Sequence, residues 1–184
     1  MIRTIVIIIV LALIAFLSWR FKQTESLDTT AAVEPAHQAD FFLKNFRMRQ
    51  YDETGLLRYR LDGQRLERFP NDERTLISQP LMALYSADDP AWRITAASGE
   101  ASSEKLDEIR LSGDVEMVRD AAENRQPMRV STASLLLKPK TEFVQSKHMI
   151  TLVQPGARLV AESLEGNLEQ GQFELRNVRG RYEP

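Results

Sequence analysis

Apolar and polar residues follow two different patterns along this chain, one in the first 22 residues and another in the rest. The stretch from Ile5 to Leu17 is apolar without a break, with Arg3 before it and Trp19 to Lys22 after it. Counted from Ile2 to Phe21 it has about 20 residues, or roughly 30 Å as a helix, which is enough to cross a bilayer once. This pattern predicts a transmembrane anchor over residues 1–22.

The flanking residues favour a retained anchor over the alternative, a cleaved signal peptide. A secretory signal ends in small residues at its cleavage site, whereas Trp19, Arg20 and Phe21 follow the apolar run here. Aromatic and basic residues of this kind are typical of the membrane interface. Arg3 on one side and Arg20 and Lys22 on the other leave the orientation undecided by the count of positive charges.

The rest of the chain divides into a tether and a body. Residues 23–40 are polar, contain Pro35 and show no apolar periodicity, which predicts a flexible tether. Residues 41–184 have the size of one domain. All 26 acidic residues but only 21 of the 24 basic ones lie beyond residue 22, so the part after the anchor carries a net charge of −5. A mildly acidic body with scattered basic residues argues against nucleic acid and against a basic patch for phosphates.

The body has a sequence period of two, which is the period of β-strands. Leu57, Tyr59 and Leu61, for example, alternate with charged residues, and similar alternation recurs as far as Leu175. Turn signals such as Gln154-Pro155-Gly156 separate these segments. Many short alternating strands joined by turns predict an all-β fold, an antiparallel sandwich or roll.

The body also contains a weak internal repeat. Ile94–Ser98 (ITAAS) is similar to Val130–Ser134 (VSTAS) and to Leu159–Ser163 (LVAES). The spacing of roughly 25 to 40 residues is typical of a repeated hairpin unit that must stack to bury its apolar face.

Side chains for catalysis or metal binding are scarce in the sequence. The chain has no cysteine, and its two histidines, His37 and His148, have no companion at metal-ligand spacing. Asp88 and Asp89 precede Pro90, a pattern typical of a turn and not of paired catalytic carboxylates. We therefore expect no enzyme, no metal site and no cofactor.

The apolar face of the strands has two interpretations. It fills the core of a packed sandwich, which the residues alone favour, or it lines a slot between diverging sheets that takes acyl chains. Methionine suits such a slot because it adapts to irregular shapes. The residues that share the apolar parity of their strands are assigned to the interior: Phe46, Met48, Leu57, Tyr59, Leu61, Leu81, Ala83, Tyr85, Trp92, Ile94, Ile109, Leu111, Val115 and Met117.

Four segments behind the N-terminal anchor carry a resemblance to a known family: Asn45–Leu61, Ile77–Leu81, Pro90–Ser98 and Ile109–Met117. In this order they resemble the LptC family, the bitopic inner-membrane components of the lipopolysaccharide export machine of Gram-negative bacteria. The W-x-I-T-A and I-x-L-x-G-x-V pieces within them also occur in the periplasmic bridge proteins of that system. The resemblance covers essentially the whole chain.

The resemblance implies a periplasmic β-jelly roll, an inner-membrane anchor with a cytoplasmic N-terminus, and no catalysis. It implies that the protein accepts lipopolysaccharide from the inner-membrane ABC transporter (LptB2FG) and passes it to the bridge protein LptA. The acyl chains would occupy the apolar interior, so the fourteen residues above are the expected lipid-binding set. The alternative is a membrane-tethered structural or assembly module that binds only proteins, with its sheets packed dry.

The resemblance also places protein partners at the two edges of the roll. The first edge, within Phe41–Gln50, would face the transporter, and the last would pair with the bridge protein. The expected partner-binding residues are Phe41, Leu43, Phe173, Leu175 and Val178. Only six residues follow the strand predicted over 172–178. We therefore expect that no further strand covers it and that its edge is free for β-augmentation.

The predicted anchor can be tested by proteolysis. Because Trp19-Arg20-Phe21 offers no cleavage site, we expect the mature protein to begin at or near Met1, with residues 23–184 in the periplasm. Protease added to spheroplasts should then digest the body. Protection of the body, or a mature N-terminus beyond Ser18, would contradict this prediction.

Overall fold

The computed structural model of the protein describes residues 39–69, 73–86, 89–102, 106–122 and 125–182. The predicted anchor and nearly all of the predicted tether lie outside these residues, and both stay predictions. Within the described ranges, no helix is both long and apolar enough to cross a bilayer.

The described chain folds into antiparallel β-strands, as the period of two predicts. In chain order they are β1 Phe41–Tyr51, β2 Leu57–Phe69, β3 Arg74–Ser78, β4 Leu81–Ser86, β5 Asp89–Thr95, β6 Ser98–Ala101, β7 Ile109–Arg119, β8 Met128–Lys138, β9 Phe143–Ser146, β10 Ile150–Gln154, β11 Ala157–Ala161, β12 Ser163–Asn167, β13 Gln172–Arg176 and β14 Arg179–Tyr182. The expected all-β antiparallel class is confirmed.

Long strands connect two halves of one hydrogen-bonded sheet. The first part of β2, residues 59–62, pairs with β4, while residues 65–69 pair with β3. In the same way β8 pairs with β10 through 129–132 and with β9 through 136–138. We call the two halves sheet I and sheet II. Sheet I has the strand order β1-β2-β4-β5-β7-β8-β10-β11-β14, and sheet II has the order β1-β2-β3-β6-β7-β8-β9-β12-β13. This arrangement, two sheets sharing long strands, fits a jelly roll.

The long strands bend where they pass from one sheet to the other. In β7 the register shifts between Ser112 and Val115, and the two residues between them, Gly113 and Asp114, have φ values of +78° and +47°. Such left-handed conformations favour Gly and are tolerated by Asp and Asn. The bends thus have a local cause in the sequence, and they fold the sheet onto itself.

The weak internal repeat marks the crossings from sheet I to sheet II. Ile94–Ser98 leads from β5 to β6, Val130–Ser134 spans the change of partner within β8, and Leu159–Ser163 leads from β11 to β12. At the first crossing, the Ala97 Cβ lies 2.8 Å from where a Cβ on Gly113 would stand. Small residues are therefore needed because two crossings touch here. The repeat is a crossing between sheets and not the hairpin unit that the sequence pattern suggested.

One apolar row crosses sheet I from edge to edge. Its members pair in succession across nine strands: Met48, Leu61, Met82, Ile94, Met117, Val130, Leu152, Leu159 and Gly180. On sheet II, Ile109, Leu137 and Val144 form part of the opposing face. Side chains of both sheets meet in a single hydrophobic core. Burying one apolar face of a sheet against itself is what drives this fold.

The side-chain hydroxyls of Thr132 and Ser146 are buried and stabilise the connection between β9 and β10. The Oγ1 of Thr132 lies 2.9 Å from the Oγ of Ser146, and it also donates to the carbonyl oxygen of Met149 at 3.2 Å. The backbone N–H of His148 donates to the Ser146 Oγ at 3.2 Å. Because these polar atoms satisfy one another, they can lie inside the core at little cost.

We expect Gly166→Ala to destabilise the C-terminal hairpin of sheet II. A Cβ on Gly166 would lie 2.5 Å from the carbonyl oxygen of Gln172 and 2.6 Å from the Phe173 ring, so β12 and β13 must shift apart. Overpacking of this kind costs about 1–3 kcal/mol, which chemical denaturation can measure. Glu165→Ala, on the neighbouring exposed position, is the control. Equal stability of the two variants would contradict the close packing of β12 against β13.

Candidate functional site: the interior between the sheets and the strand edges

The interior is closed in this structure. The largest side chains with less than 2% of their surface exposed are Trp92, Leu61, Ile77, Met82, Leu84, Ile94, Ile109, Leu111, Met117, Leu135, Leu137 and Ile150. Almost none of the surface of these side chains is accessible to water, and a ligand pocket for an acyl chain needs about 300 Å³ or more. The two sheets must therefore separate before an acyl chain can lie between these residues.

Most of the fourteen sequence-predicted interior residues lie in the core. Ten of them are buried, and nine of these belong to the hydrophobic core: Phe46, Tyr59, Leu61, Trp92, Ile94, Ile109, Leu111, Val115 and Met117. Met48 belongs to the apolar row of sheet I but is 37% exposed because it lies on the edge strand β1. Leu57 is half-buried at the start of β2. Their role in lipid binding stays a prediction.

The assignment of Leu81 and Tyr85 in β4 to the interior is wrong, because both are only half-buried. Ala83 is buried as expected, with 1% of its surface exposed, but it pairs across the strands with Arg60 and Arg93 and not with core residues. In β4 it is Met82 and Leu84 that pair across the strands with interior residues such as Leu61 and Trp92. Tyr85 lies on the outer face, where its hydroxyl accepts a hydrogen bond from Arg60 Nη1 at 3.2 Å. β4 reads Leu-Met-Ala-Leu-Tyr and is apolar at both parities, so only the register with β2 and β5 decides which face is buried.

Sequence analysis also missed core residues in sheet II, among them Leu66, Ile77, Leu135, Leu137 and Val144. Leu135-Leu136-Leu137 is again apolar at both parities, so its period carries no information about the face. The same holds for Leu76-Ile77, where neighbouring apolar residues hide the face, and the structure buries Ile77 on the same face as Thr75.

The two sheets meet again at the strand ends opposite the bends, at a place we call the mouth. It is formed by Arg58, Trp92 and Arg119 from sheet I and by Glu142, Leu168 and Phe173 from the turns and the last strand of sheet II. Trp92 Nε1 donates a hydrogen bond to the carbonyl oxygen of Leu168 at 3.1 Å. The Trp92 and Phe173 rings meet edge to face, with centroids 5.6 Å apart. These contacts close the mouth around one tryptophan.

An ion pair crosses the mouth beside Trp92. Arg58 Nη2 lies 2.9 Å from Glu142 Oε1, and the side chains are 37% and 6% exposed, respectively. Burial raises the pKa of the Glu142 carboxyl, although the charge of Arg58 acts in the opposite direction. The desolvation cost of Glu142 therefore outweighs the attraction of Arg58, so the ion pair is a weak closure of the mouth.

The first strand edge is exposed and aromatic. Phe41 and Phe42 are 44% and 56% exposed on β1, and Leu43 packs against the core. In the described residues, β1 pairs only with β2, so its other side is open. This edge has the apolar surface and the free backbone groups that a partner strand requires.

The expectation that no strand follows 172–178 is wrong. The strand ends at Arg176, and after Val178 the chain forms β14, which pairs with β11 in sheet I. Phe173 and Leu175 pack against the core, whereas Val178 is exposed between the strands. The short Arg-Gly-Arg-Tyr segment gives no apolar alternation, so its strand could not be read from the sequence. Within the described part of the chain, β13 and β14 each pair on one side only, and the C-terminal side has two edges.

Comparison with known proteins now gives the family. A family model described as "Lipopolysaccharide-assembly, LptC-related" matches residues 7–183 of this chain. The chain belongs to the LptC family. The lipopolysaccharide export system protein LptC of Escherichia coli K12 is 25% identical over 179 residues, which cover 96% of this chain and 92% of that protein. The protein of the same name from Shigella flexneri matches to the same extent.

A solved structure supports the fold. It is the crystal structure of LptH, described as the LptA homologous periplasmic component of the lipopolysaccharide transport device from Pseudomonas aeruginosa. It covers 68% of this LptC-family chain and 95% of its own, with a TM-score of 0.54 and 8% sequence identity. At that identity the likeness shows the fold alone, and the fold it shows is consistent with the jelly roll. The family resemblance is confirmed, and with it a role in lipopolysaccharide transport.

Proposed function

We propose that the space between the two sheets receives the acyl chains of lipopolysaccharide from the inner-membrane ABC transporter (LptB2FG) and passes them to the bridge protein LptA. Residues 1–22 would anchor the chain in the inner membrane with the N-terminus in the cytoplasm. The observation that carries this proposal is the apolar row of sheet I. It runs across nine strands without a charged residue, from Met48 on the first strand to Gly180 on the last.

The row is suited to acyl chains on physical grounds. Burial of each CH₂ group contributes about 0.8 kcal/mol, so several chains can stabilise an open form that the protein alone does not favour. Three members of the row, Met48, Met82 and Met117, are methionines, whose unbranched side chains repack around irregular surfaces.

The mouth is the natural place for the sheets to separate. On the opposite side, long strands such as β7 and β8 continue from one sheet into the other. Separating the sheets there would require these bent strands to straighten. At the mouth, by contrast, three specific contacts connect the sheets among the described residues: the edge-to-face pair of Trp92 with Phe173, the hydrogen bond from Trp92 to Leu168, and the Arg58–Glu142 ion pair. Opening at the mouth exposes the interior while the bends stay intact.

The edges give the transfer a direction. β1, at one end of the apolar row, would face the transporter through Phe41 and Leu43. At the other end, a strand of the bridge protein added to β14 would continue the row past Gly180, and one added to β13 would continue sheet II past Phe173 and Leu175. Pairing by β-augmentation would thus join two apolar interiors into one.

The closed core supports a second candidate, the assembly module that binds only proteins. Side chains less than 2% exposed, such as Ile94 and Met117, are what a dry structural sandwich requires. The two candidates differ in whether residues 40–184 retain lipopolysaccharide on purification.

Two tyrosines of opposite faces test the lipid-binding interior. Tyr59 is buried in the core, whereas Tyr85 lies on the outer face. We expect a photo-crosslinking phenylalanine analogue at position 59 to capture lipopolysaccharide in cells, and the same analogue at position 85 to capture little. Immunoblotting of the crosslinked product against lipopolysaccharide is the measurement. Equal capture at both positions, or none at either while the protein is folded, would contradict the proposal.

Truncation tests the C-terminal edges. Ending the chain after Gly171 removes both β13 and β14, and ending it after Val178 removes β14 alone. We expect the first to abolish capture of the bridge protein and the second to weaken it by roughly tenfold or more, since each edge contributes backbone hydrogen bonds. Co-purification of the transporter should survive both. Undiminished bridge binding in the shorter chain would show that the C-terminal edges are not the docking site.

A further inference from the structure

Arg119 occupies an unusual place at the mouth. It lies at the end of β7, two residues from Met117 in the apolar row, and its parity is that of the interior. Its guanidinium carbon lies 5.1 Å from the centroid of the Trp92 ring. Its Nη1 is 3.4 Å from where a Cβ on Gly171 would stand, so the glycine leaves room for it. The cation therefore covers the tryptophan that closes the mouth.

Arg119 has no carboxylate partner within the described residues. Its Nε donates a long hydrogen bond to the carbonyl oxygen of Gln126, at 3.3 Å. Partial burial and the nearby positive charge of Arg125 lower the pKa of the Arg119 guanidinium. Two like charges held together without an acid between them are relieved when an anion binds.

Other cations around the mouth are already neutralised. Arg58 pairs with Glu142, and Lys140 lies 2.7 Å from Asp107. Arg93, on the strand beside β7, pairs with Asp120. Neither Arg119 nor Arg125 has such a pair among the residues described, so the free positive charge at the mouth belongs to these two.

We propose that Arg119, assisted by Arg125, binds the phosphate groups of the lipid whose acyl chains enter the mouth. The inference rests on the proposed function, since it needs chains in the interior. A chain that passes Trp92 brings its head group to the guanidinium lying on that ring. Arginine binds phosphate through two parallel hydrogen bonds, which fixes orientation as well as affinity. The site would therefore set how deeply the lipid enters and would select phosphorylated lipids.

The test compares two lipids on the full-length protein in detergent. Lipid A carrying its phosphates and the same lipid after phosphatase treatment are titrated against the wild type, and the ratio of dissociation constants is measured. We expect the wild type to prefer the phosphorylated lipid roughly tenfold, equivalent to about 1.4 kcal/mol. Arg119→Met keeps a long apolar side chain over Trp92. This variant should bring the ratio of dissociation constants close to one without weakening the binding of the dephosphorylated lipid.

Matched variants separate charge from packing. Arg119→Lys should keep part of the preference, and Arg125→Gln should reduce it. Arg129→Gln should leave it unchanged, because Arg129 pairs with Glu116 on the exposed outer face. The inference is overturned if the wild type binds both lipids equally, or if Arg119→Met weakens the binding of both lipids to the same degree.

Inorganic phosphate distinguishes a head-group site from a site for free anions. If phosphate alone binds the wild type as tightly as phosphorylated lipid A does, the site is a free-anion site and the head-group assignment is wrong. Weak binding of phosphate alone supports the assignment. If neither lipid binds at all, the proposed function fails, whereas equal binding of both lipids overturns only the role of Arg119.

Discussion

The structure depends on one constraint, that a single antiparallel sheet must bury one apolar face against itself. A sheet with one apolar face has to cover it, and here the long strands do so by bending. Each bend needs residues that tolerate a left-handed conformation or carry little side chain, such as Gly113, Asp114 and Ala97. The core, the mouth and the position of every edge follow from these bends.

The same constraint relates stability to transport. The side chains that hold the sheets together are those that an acyl chain would have to displace. The bend side is fixed by continuous strands and by the buried hydroxyls of Thr132 and Ser146. The mouth side is held by an edge-to-face aromatic pair and by an ion pair whose carboxylate is costly to bury. In the proposed transport function, this difference would let the sheets separate on the mouth side without unfolding.

The charges around the mouth differ from what the net charge of the body suggests. An acidic body argues against a basic patch, and the basic residues are indeed scattered along the sequence. In the folded protein, however, many of these basic residues form ion pairs, such as Arg47 with Asp62 and Arg93 with Asp120. At the mouth, Arg119 and Arg125 have no carboxylate partner among the described residues, while the acidic Glu169 lies near Glu142 on the other side. Net charge therefore describes solubility and long-range behaviour, while recognition depends on which charges the fold leaves without partners.

The sequence by itself determined the antiparallel class, many of the strands and the buried face of strands such as β2, β5 and β7, because a period of two fixes which face is buried wherever only one parity is apolar. It could not orient β4, where Met82 and Ala83 are both apolar, because register between strands sets that choice. It also could not foresee β14 or the mouth. Trp92 and Leu168 are 76 positions apart, and Arg58 and Glu142 are 84 apart. Local patterns carry no information about such contacts, and only the bending of the sheet brings them together.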